Sequence, residues 1–395
     1  MTTAAGTRWR VALADNTIDQ PEIDAVTEVL RSRWLSAGPV TRRFEQEFAE
    51  RLGAPGAVAV SSGTAALHLA TMALDLRPGD EVIVPSLSFV ASAAVVALQG
   101  ATPVFADVHS ETDLTVDSTD VARLVTARTR AIVPMHYGGY PADLTALRAT
   151  ADRHGLRLVE DAAHAPAVRA GDRMVGVHGD LGCFSFFATK NLTVGEGGMV
   201  VAEDADLLER IRLSRSHSLS SSTWDRQRSA TTGYDVAGIG LNYRPTEVSS
   251  ALGRVQLTRL DGDRARRRAL VAIYHHQLRE VPGLTIPFLG RSGDTAHHLM
   301  AVVLPRQVDR EAVRTALAAA GVQTSVHYPP THLFSFYRRR FPGARRPLPV
   351  TESVAPRLLS LPLHSRMSDR DATLVAQTLA RTLTGTSHLT KGAQR

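Results

Sequence analysis

The sequence predicts an α/β protein in which helices wrap a mostly parallel β-sheet. Three observations predict this class. Short apolar runs alternate with longer helical patterns over the first two-thirds of the chain. Several runs are continuously apolar rather than alternating, which marks strands buried on both faces. Proline and glycine punctuate the joins, as in Pro78-Gly79-Asp80.

Taken in order, the expected strands are Ala57–Val60, Glu81–Val84, Thr102–Ala106, Ala131–Met135, Leu156–Glu160, Leu181–Phe186 and Met199–Val201. Helical patterns lie between them at Ala65–Leu74, Ala91–Gln99, Thr119–Ala127 and Ala142–His154. In such a sheet ligands sit beyond the carboxyl ends of the strands. Ser61, Pro85, Asp107, His136 and Asp161 follow strand ends and are expected at one rim. The character changes after about Arg254. A long polar helix, roughly Glu247–Arg279, leads out of the first domain and ends before Pro282-Gly283. Strands at Met300–Leu304 and Val322–His327 then flank a helix at Arg310–Ala320, which reads as a smaller α/β domain. The expected domains are 1–255 and 256–395, with the polar tail Thr386–Arg395 frayed.

A chain of 395 residues, 44% of them hydrophobic, is ample for two cores. No run of eighteen apolar residues occurs, so no membrane span is expected. Met1–Arg10 has no apolar signal region, and the single cysteine, Cys183, excludes an internal disulfide framework. Together these lead us to expect a reducing cytoplasm. Cys183 lies in an apolar strand and reads as a core thiol. The basic clusters Arg264–Arg268 and Arg338–Arg340 come without a nucleic-acid motif and read as a solvated helix face and a loop. Fifteen histidines include the pairs His275-His276 and His297-His298, but no His-x-x-x-His pair occurs, so no metal site is expected. Gly-x-Ser-x-Gly and a Walker loop are both absent.

Lys190 carries the chemistry. It follows Phe184-Ser185-Phe186-Phe187-Ala188-Thr189 and precedes Gly195-Glu196-Gly197-Gly198. Asp161 ends a strand twenty-nine positions earlier. A lysine amine can form a Schiff base with the aldehyde of pyridoxal phosphate. A carboxylate beside the pyridine nitrogen keeps it protonated, so the ring accepts electrons from a carbanion. Ser61-Ser62-Gly63-Thr64 lies between a strand and a helix, where unpaired amides and the helix dipole bind phosphate; it serves equally as a helix cap. Ser185, between bulky phenylalanines, needs a partner if buried: a cofactor phosphate or a backbone carbonyl. Phe89 either stacks on the pyridine or belongs to the core. His164, three residues after Asp161, either contacts the cofactor or is structural.

With these residues in place, the chain resembles the DegT/StrS-type sugar aminotransferases, a branch of the fold-type-I pyridoxal phosphate enzymes. The resemblance runs through Trp34-Leu35-Ser36-Ala37-Gly38-Pro39, Ser61-Ser62-Gly63-Thr64-Ala65-Ala66-Leu67 and Gly79-Asp80-Glu81-Val82-Ile83-Val84-Pro85. It continues through Gly100-Ala101-Thr102-Pro103-Val104-Phe105, Glu160-Asp161-Ala162-Ala163-His164-Ala165, Phe184-Ser185-Phe186 and Lys190-Asn191. Gly240-Leu241-Asn242-Tyr243-Arg244 and Val326-His327-Tyr328-Pro329-Pro330 complete it. The order and spacing of the blocks are specific; any one block is not.

The resemblance implies a large domain with a seven-stranded, mostly parallel sheet and a small C-terminal α/β domain. It implies that Lys190 binds the cofactor and moves the proton, and that Asp161 pairs with the pyridine nitrogen. Thr64 and Ser185 would hold the phosphate, with Gly63 giving backbone access. Phe89 and His164 would pack near the ring. Asn242 would reach the phosphate of a neighbouring subunit, which implies a homodimer with shared sites. Trp34, His327, Tyr328 and His332 would stand on the substrate side. The implied reaction moves an amino group from glutamate or glutamine to a keto-sugar, most simply a nucleotide-linked keto-deoxysugar. A keto-cyclitol is the alternative acceptor. Sugar dehydration would need histidine in place of Lys190, and a regulatory protein would not need the full set of Lys190, Asp161 and phosphate loop. Where the family has His-Gly, this chain has His217-Ser218, so a different loop is expected there, with Ser220–Thr232 left variable. His164 stands where the family often has glutamine.

Overall fold

The computed structural model describes residues 9–221, 224, 226–227, 233–342 and 346–392. The chain opens with α1 (Gln20–Ser32) and α2 (Pro39–Leu52). Apolar runs do not reveal either helix. Their signals are at the ends: Asp19 and Glu22 form a capping box on α1, while Pro39 opens α2 and Gly53 closes it in the left-handed conformation.

The alternating region follows as β1 (Ala57–Val60), α3 (Gly63–Ala73), β2 (Glu81–Pro85), α4 (Ala91–Leu98), β3 (Thr102–Ala106), α5 (Ser118–Leu124), β4 (Thr129–Ile132), α6 (Leu144–His154) and β5 (Arg157–Asp161). A small hairpin, β6 (Arg169–Ala170) and β7 (Arg173–Met174), precedes β8 (Leu181–Ser185) and β9 (Gly198–Ala202). All seven expected strands join one sheet in the order β1-β9-β8-β5-β4-β2-β3. Only β9 runs antiparallel to its neighbours in that sheet. β4 stops at Ile132 rather than Met135, because the chain bends into a turn at Tyr137–Gly139. Alternate side chains feed two layers. Val58, Val60 and Val200 pack with Leu69 of α3, while Ala57, Ala59 and Val201 pack with Phe44 and Phe48 of α2.

After α7 (Ala205–Ser214), the helix α8 (Glu247–Leu278) crosses from one core to another. Its Leu260 belongs with Phe48 and Met199, whereas Leu270, Tyr274 and Leu278 join Val11, Val302, Leu317, Leu359 and Leu379. The change of core thus falls within one continuous helix. The remaining elements are β10 (Met300–Val303), α9 (Arg310–Ala319), α10 (Ser335–Arg340), α11 (Pro349–Val354), β11 (Leu358–Leu361) and α12 (Asp369–Gly392). Three expectations are corrected here. Val322–His327 is not a strand and makes only isolated bridges, Val322 to Val11 and Ser325 to Ser360; Pro329-Pro330 just beyond cannot extend a ladder. The partner of β10 is instead β11, whose short leucine run reads equally well as helix. The tail expected to fray from Thr386 continues as helix to Gly392. No helix among the described residues is long and apolar enough to cross a membrane.

Candidate active site

The central strand β5 delivers Asp161 to the middle of the carboxyl edge. Its Oδ2 accepts from Ser92 Oγ at 2.9 Å, and its Oδ1 accepts the Ala163 N–H at 3.2 Å. Burial raises the Asp161 pKa, while Ser92, the Ala163 amide and Lys190 pull it back. Lys190 stands on the loop joining β8 to β9. The loop is pinned at its base, where Phe186 N–H donates to Gly197 O at 2.8 Å, and Lys190 N–H donates to Phe187 O at 2.9 Å. Burial pushes the Lys190 ammonium down to about 8 against the pull of Asp161. At neutral pH that leaves roughly a tenth of the amine neutral and nucleophilic, against well under a thousandth for an ordinary lysine.

An anion corner adjoins this pair. Ser62 caps α3 by accepting the Ala65 N–H at 3.0 Å. The amides of Gly63 and Thr64 come before the helical hydrogen-bond ladder. A Cβ on Gly63 would stand 2.6 Å from Ser185 Cβ, so only glycine lets the helix start come this close to β8. Ser185 Oγ takes only a long bond, 3.4 Å, from the Phe187 N–H.

These groups meet in a cavity of about 390 Å³. Of the residues expected from sequence, Gly63, Thr64, Phe89, Asp161, His164, Ser185, Lys190, His327 and Tyr328 line it. Phe89 is 55% exposed, so it covers the cavity rather than filling the core; its ring centroid lies 6.0 Å from that of Tyr328. Met135 and Glu196 also line the wall and were not singled out from the sequence; Ser62, read there as part of the phosphate loop, and Cys183, read there as a core thiol, line it too. Ser92, which braces Asp161, was missed as well; its only signal is the serine-rich string around Phe89. Burial and the nearby Lys190 push His327 down to about 4, so the cavity histidines are neutral.

Three expected residues lie outside the cavity. Trp34 packs edge-on against Trp224, with centroids 4.8 Å apart. Asn242 is exposed and bridges to Ser216. His332 turns away into a separate apolar cleft with Phe105, Tyr337 and Phe341. There its Nδ1 meets Ser86 Oγ, and its Nε2 lies 3.3 Å from Glu352. Two of the residues expected at the rim are also spent on structure. Asp107 accepts the N–H groups of Val350 and Thr351 at 3.0 and 2.7 Å, capping α11. His136 is bound to Glu160 at 3.1 Å. The His217-Ser218 departure does not forbid a left-handed turn: Ser218 adopts φ 53°, held by its N–H bond to Leu213 O at 2.8 Å. Of the neighbouring variable stretch, residues 222–223, 225 and 228–232 lie outside the described residues.

The whole chain has two lysines, Lys190 and Lys391, against a large excess of arginine. An arginine guanidinium stays protonated and forms no Schiff base. Lys190 is thus the one lysine within the cavity lining. An amine of lowered pKa, a buried carboxylate, an anion corner and an aromatic cover fit the aldehyde, ring nitrogen, phosphate and ring face of pyridoxal phosphate.

Comparison with known proteins agrees. The model of the DegT/DnrJ/EryC1/StrS aminotransferase family matches residues 16–380. The spore coat polysaccharide biosynthesis protein SpsC of Bacillus subtilis (strain 168) is 42% identical over 359 residues, 90% of this chain and 92% of SpsC. The aminotransferase TlmJ from Streptoalloteichus hindustanus has a TM-score of 0.89 at 36% identity, covering 95% of this chain and all of TlmJ, 100%. DesI, solved in the presence of its TDP-sugar product, has a TM-score of 0.86 at 34% identity, covering 98% of this chain and 96% of DesI. With the family match running nearly end to end, the protein belongs to the DegT/DnrJ/EryC1/StrS aminotransferase family.

Proposed function

We propose that the protein uses pyridoxal 5'-phosphate to move an amino group from glutamate or glutamine to the keto group of a nucleotide-linked deoxysugar. The observation that carries this reading is Lys190, its pKa lowered, in one cavity with Asp161 and the anion corner. When bound, the cofactor supplies an electron sink for the carbanion formed at the donor α-carbon. Lys190 Nζ would hold the cofactor and, once the donor's amine has displaced it, would be the base that moves the donor's α-proton. It is the natural base because it is tethered beside the reacting carbon. Asp161 keeps the pyridine nitrogen protonated. Gly63, Thr64 and Ser185 hold the phosphate, and Phe89 covers the ring.

His327 and Tyr328 face the substrate. No arginine lines the cavity among the described residues, so the phosphates of a nucleotide acceptor need cations from outside it. In a homodimer in which each subunit completes the other's site, exposed Asn242 would reach the partner's cofactor phosphate, and Arg244, two residues on, would bring a cation beside it. The TDP-sugar product of DesI supports the nucleotide linkage, and the polysaccharide role of SpsC supports a sugar acceptor.

The test is the two half-reactions. Loaded with cofactor, the protein should show a near-visible band that glutamate or glutamine bleaches. A panel of keto-sugar nucleotides and keto-cyclitols then identifies the acceptor that restores it. Lys190→Ala should do neither. A wild-type band that no amino acid bleaches would contradict the proposal.

A further inference from the structure

The loop that carries Lys190 is tied to the rest of the fold by its neighbour, Asn191. Between β8 and β9 the loop's backbone bonds stay internal: the Lys190 N–H donates to Phe187 O and the Val194 N–H to Phe186 O, both at 2.9 Å. Among the described residues, Asn191 alone carries hydrogen bonds from residues 187–196 to another part of the fold. It is buried, and its Nδ2 donates to Ala296 O at 2.7 Å. A carbonyl only accepts, so the amide cannot be the other way round. Asn191 Oδ1 therefore accepts from His298 Nδ1 at 3.0 Å, and the His298 proton sits on Nδ1. Burial, with His164 and Lys190 nearby, keeps that ring neutral.

Both partners of Asn191 belong to the segment that enters β10, and this segment has little freedom. The Ala296 N–H donates to Gly139 O at 3.0 Å and the His298 N–H to Gly138 O at 2.8 Å, in the turn after β4. His297, between them, takes φ 46°, in the left-handed region that a residue with a Cβ adopts at a cost. Arg267 of α8, buried, reaches the carbonyls of His297 and His298 at 3.4 Å and that of Leu363 at 2.9 Å. A buried guanidinium spent on carbonyls carries a desolvation cost that an apolar side chain would avoid. Strain and a buried cation at one point indicate a segment held for its position rather than for stability alone.

Under the proposed function, on which this step rests, Lys190 serves twice: it holds the cofactor and, once displaced, acts as the base. A displaced lysine has a flexible four-carbon stem, so its backbone decides where the amine can be. We infer that Asn191 is a positioning residue for the proton transfer: with His298 behind it, it fixes the Lys190 backbone to the segment entering β10, so that the displaced amine stays beside the donor α-carbon. Neither Asn191 nor His298 lines the cavity, so both act through Lys190.

The experiment compares variants as cofactor-loaded protein, with every value taken per bound cofactor. Asn191→Ala should slow the donor half-reaction on the order of 10- to 100-fold, the scale of a misplaced catalytic group, with the half-saturating donor concentration near wild type. Its near-visible band should keep its absorbance and lose circular dichroism, which reports how rigidly the lysine holds the cofactor. His298→Leu should change both readings in the same direction. His298→Asn, whose Nδ2 replaces the ring Nδ1 as donor, should return both towards wild type. Both substitutions lose the ring whose centroid lies 4.3 Å from that of His164, so the hydrogen bond to Asn191 is what separates them. A wild-type rate per bound cofactor in Asn191→Ala overturns the inference, and so does a loss confined to the half-saturating concentration. If Asn191→Ala does not fold, equal rates in His298→Leu and His298→Asn overturn it. The wild-type control keeps the two claims apart. A wild-type band that no amino acid bleaches sinks the proposed function, and the dichroism comparison, which needs only bound cofactor, then decides whether Asn191 positions Lys190.

Discussion

Lys190 and Asp161 are coupled, and each partly decides the other's protonation. Burial pushes the lysine down and the aspartate up, while their mutual attraction opposes both shifts. The lysine's outcome has a measurable consequence in the cofactor-free protein. Below about pH 8 the amine is protonated and unreactive; above it the amine is free to attack an aldehyde. The rate at which apoprotein captures pyridoxal phosphate should rise with pH through a midpoint near 8. A midpoint near that of an ordinary lysine, about 10.4, would contradict the burial argument. At this scale the sequence was readable where function is written in adjacent residues. Ser185 and Lys190 share one string, and Asp161 ends a strand three residues before His164. It was not readable where direction decides. His332 is four residues past Tyr328, yet after Pro329-Pro330 the chain enters a turn at Thr331–Leu333 that aims it at Ser86. Ser92 and Glu196 reach the site only through the packing of α4 and of the loop before β9.

The secondary-structure elements are held in place by buried carboxylates acting as caps across long sequence distances. Glu247, in the first turn of α8, is 2% exposed. Its oxygens accept the N–H groups of Gly38, Val40 and Thr41 at 2.8, 2.9 and 2.8 Å. It also accepts the Thr41 hydroxyl at 2.6 Å. This one side chain satisfies the amino end of α2 and fixes it to α8. Glu160 does the same for the loop before β8, accepting the N–H groups of Gly176, His178 and Gly179 at 2.8, 2.8 and 2.7 Å. Glu247→Ala would leave three amides unpaired and should cost about 2–4 kcal/mol of unfolding free energy, read by denaturant titration. An effect within experimental error would show that water replaces the carboxylate. The strands were legible because continuous apolar runs bounded by glycine and proline have few other solutions. The helices α1 and α2 were not, because polar surfaces hide their period and distant partners such as Glu247 complete their caps.

Across the whole molecule, α8 joins two cores. Near its middle Arg267, buried, donates to Leu363 O at 2.9 Å and to His297 O and His298 O at 3.4 Å. His298 in turn bonds Asn191, the neighbour of Lys190, at 3.0 Å. The chain that follows α9 also returns to the first core, since Tyr337, Phe341 and Leu348 pack with the larger sheet. The cavity therefore draws His327 and Tyr328 from beyond α9, a closeness that no local pattern announces. The composition adds a chain-wide point: arginine supplies nearly all the basic surface, and lysine occurs only at positions 190 and 391. That scarcity allows an unambiguous test. Protein loaded with pyridoxal phosphate is reduced with borohydride, digested and mapped by mass spectrometry. A pyridoxyl group fixed on Lys190, and absent from Lys391, is the predicted result; an unmodified Lys190 in protein that has bound the cofactor would contradict it.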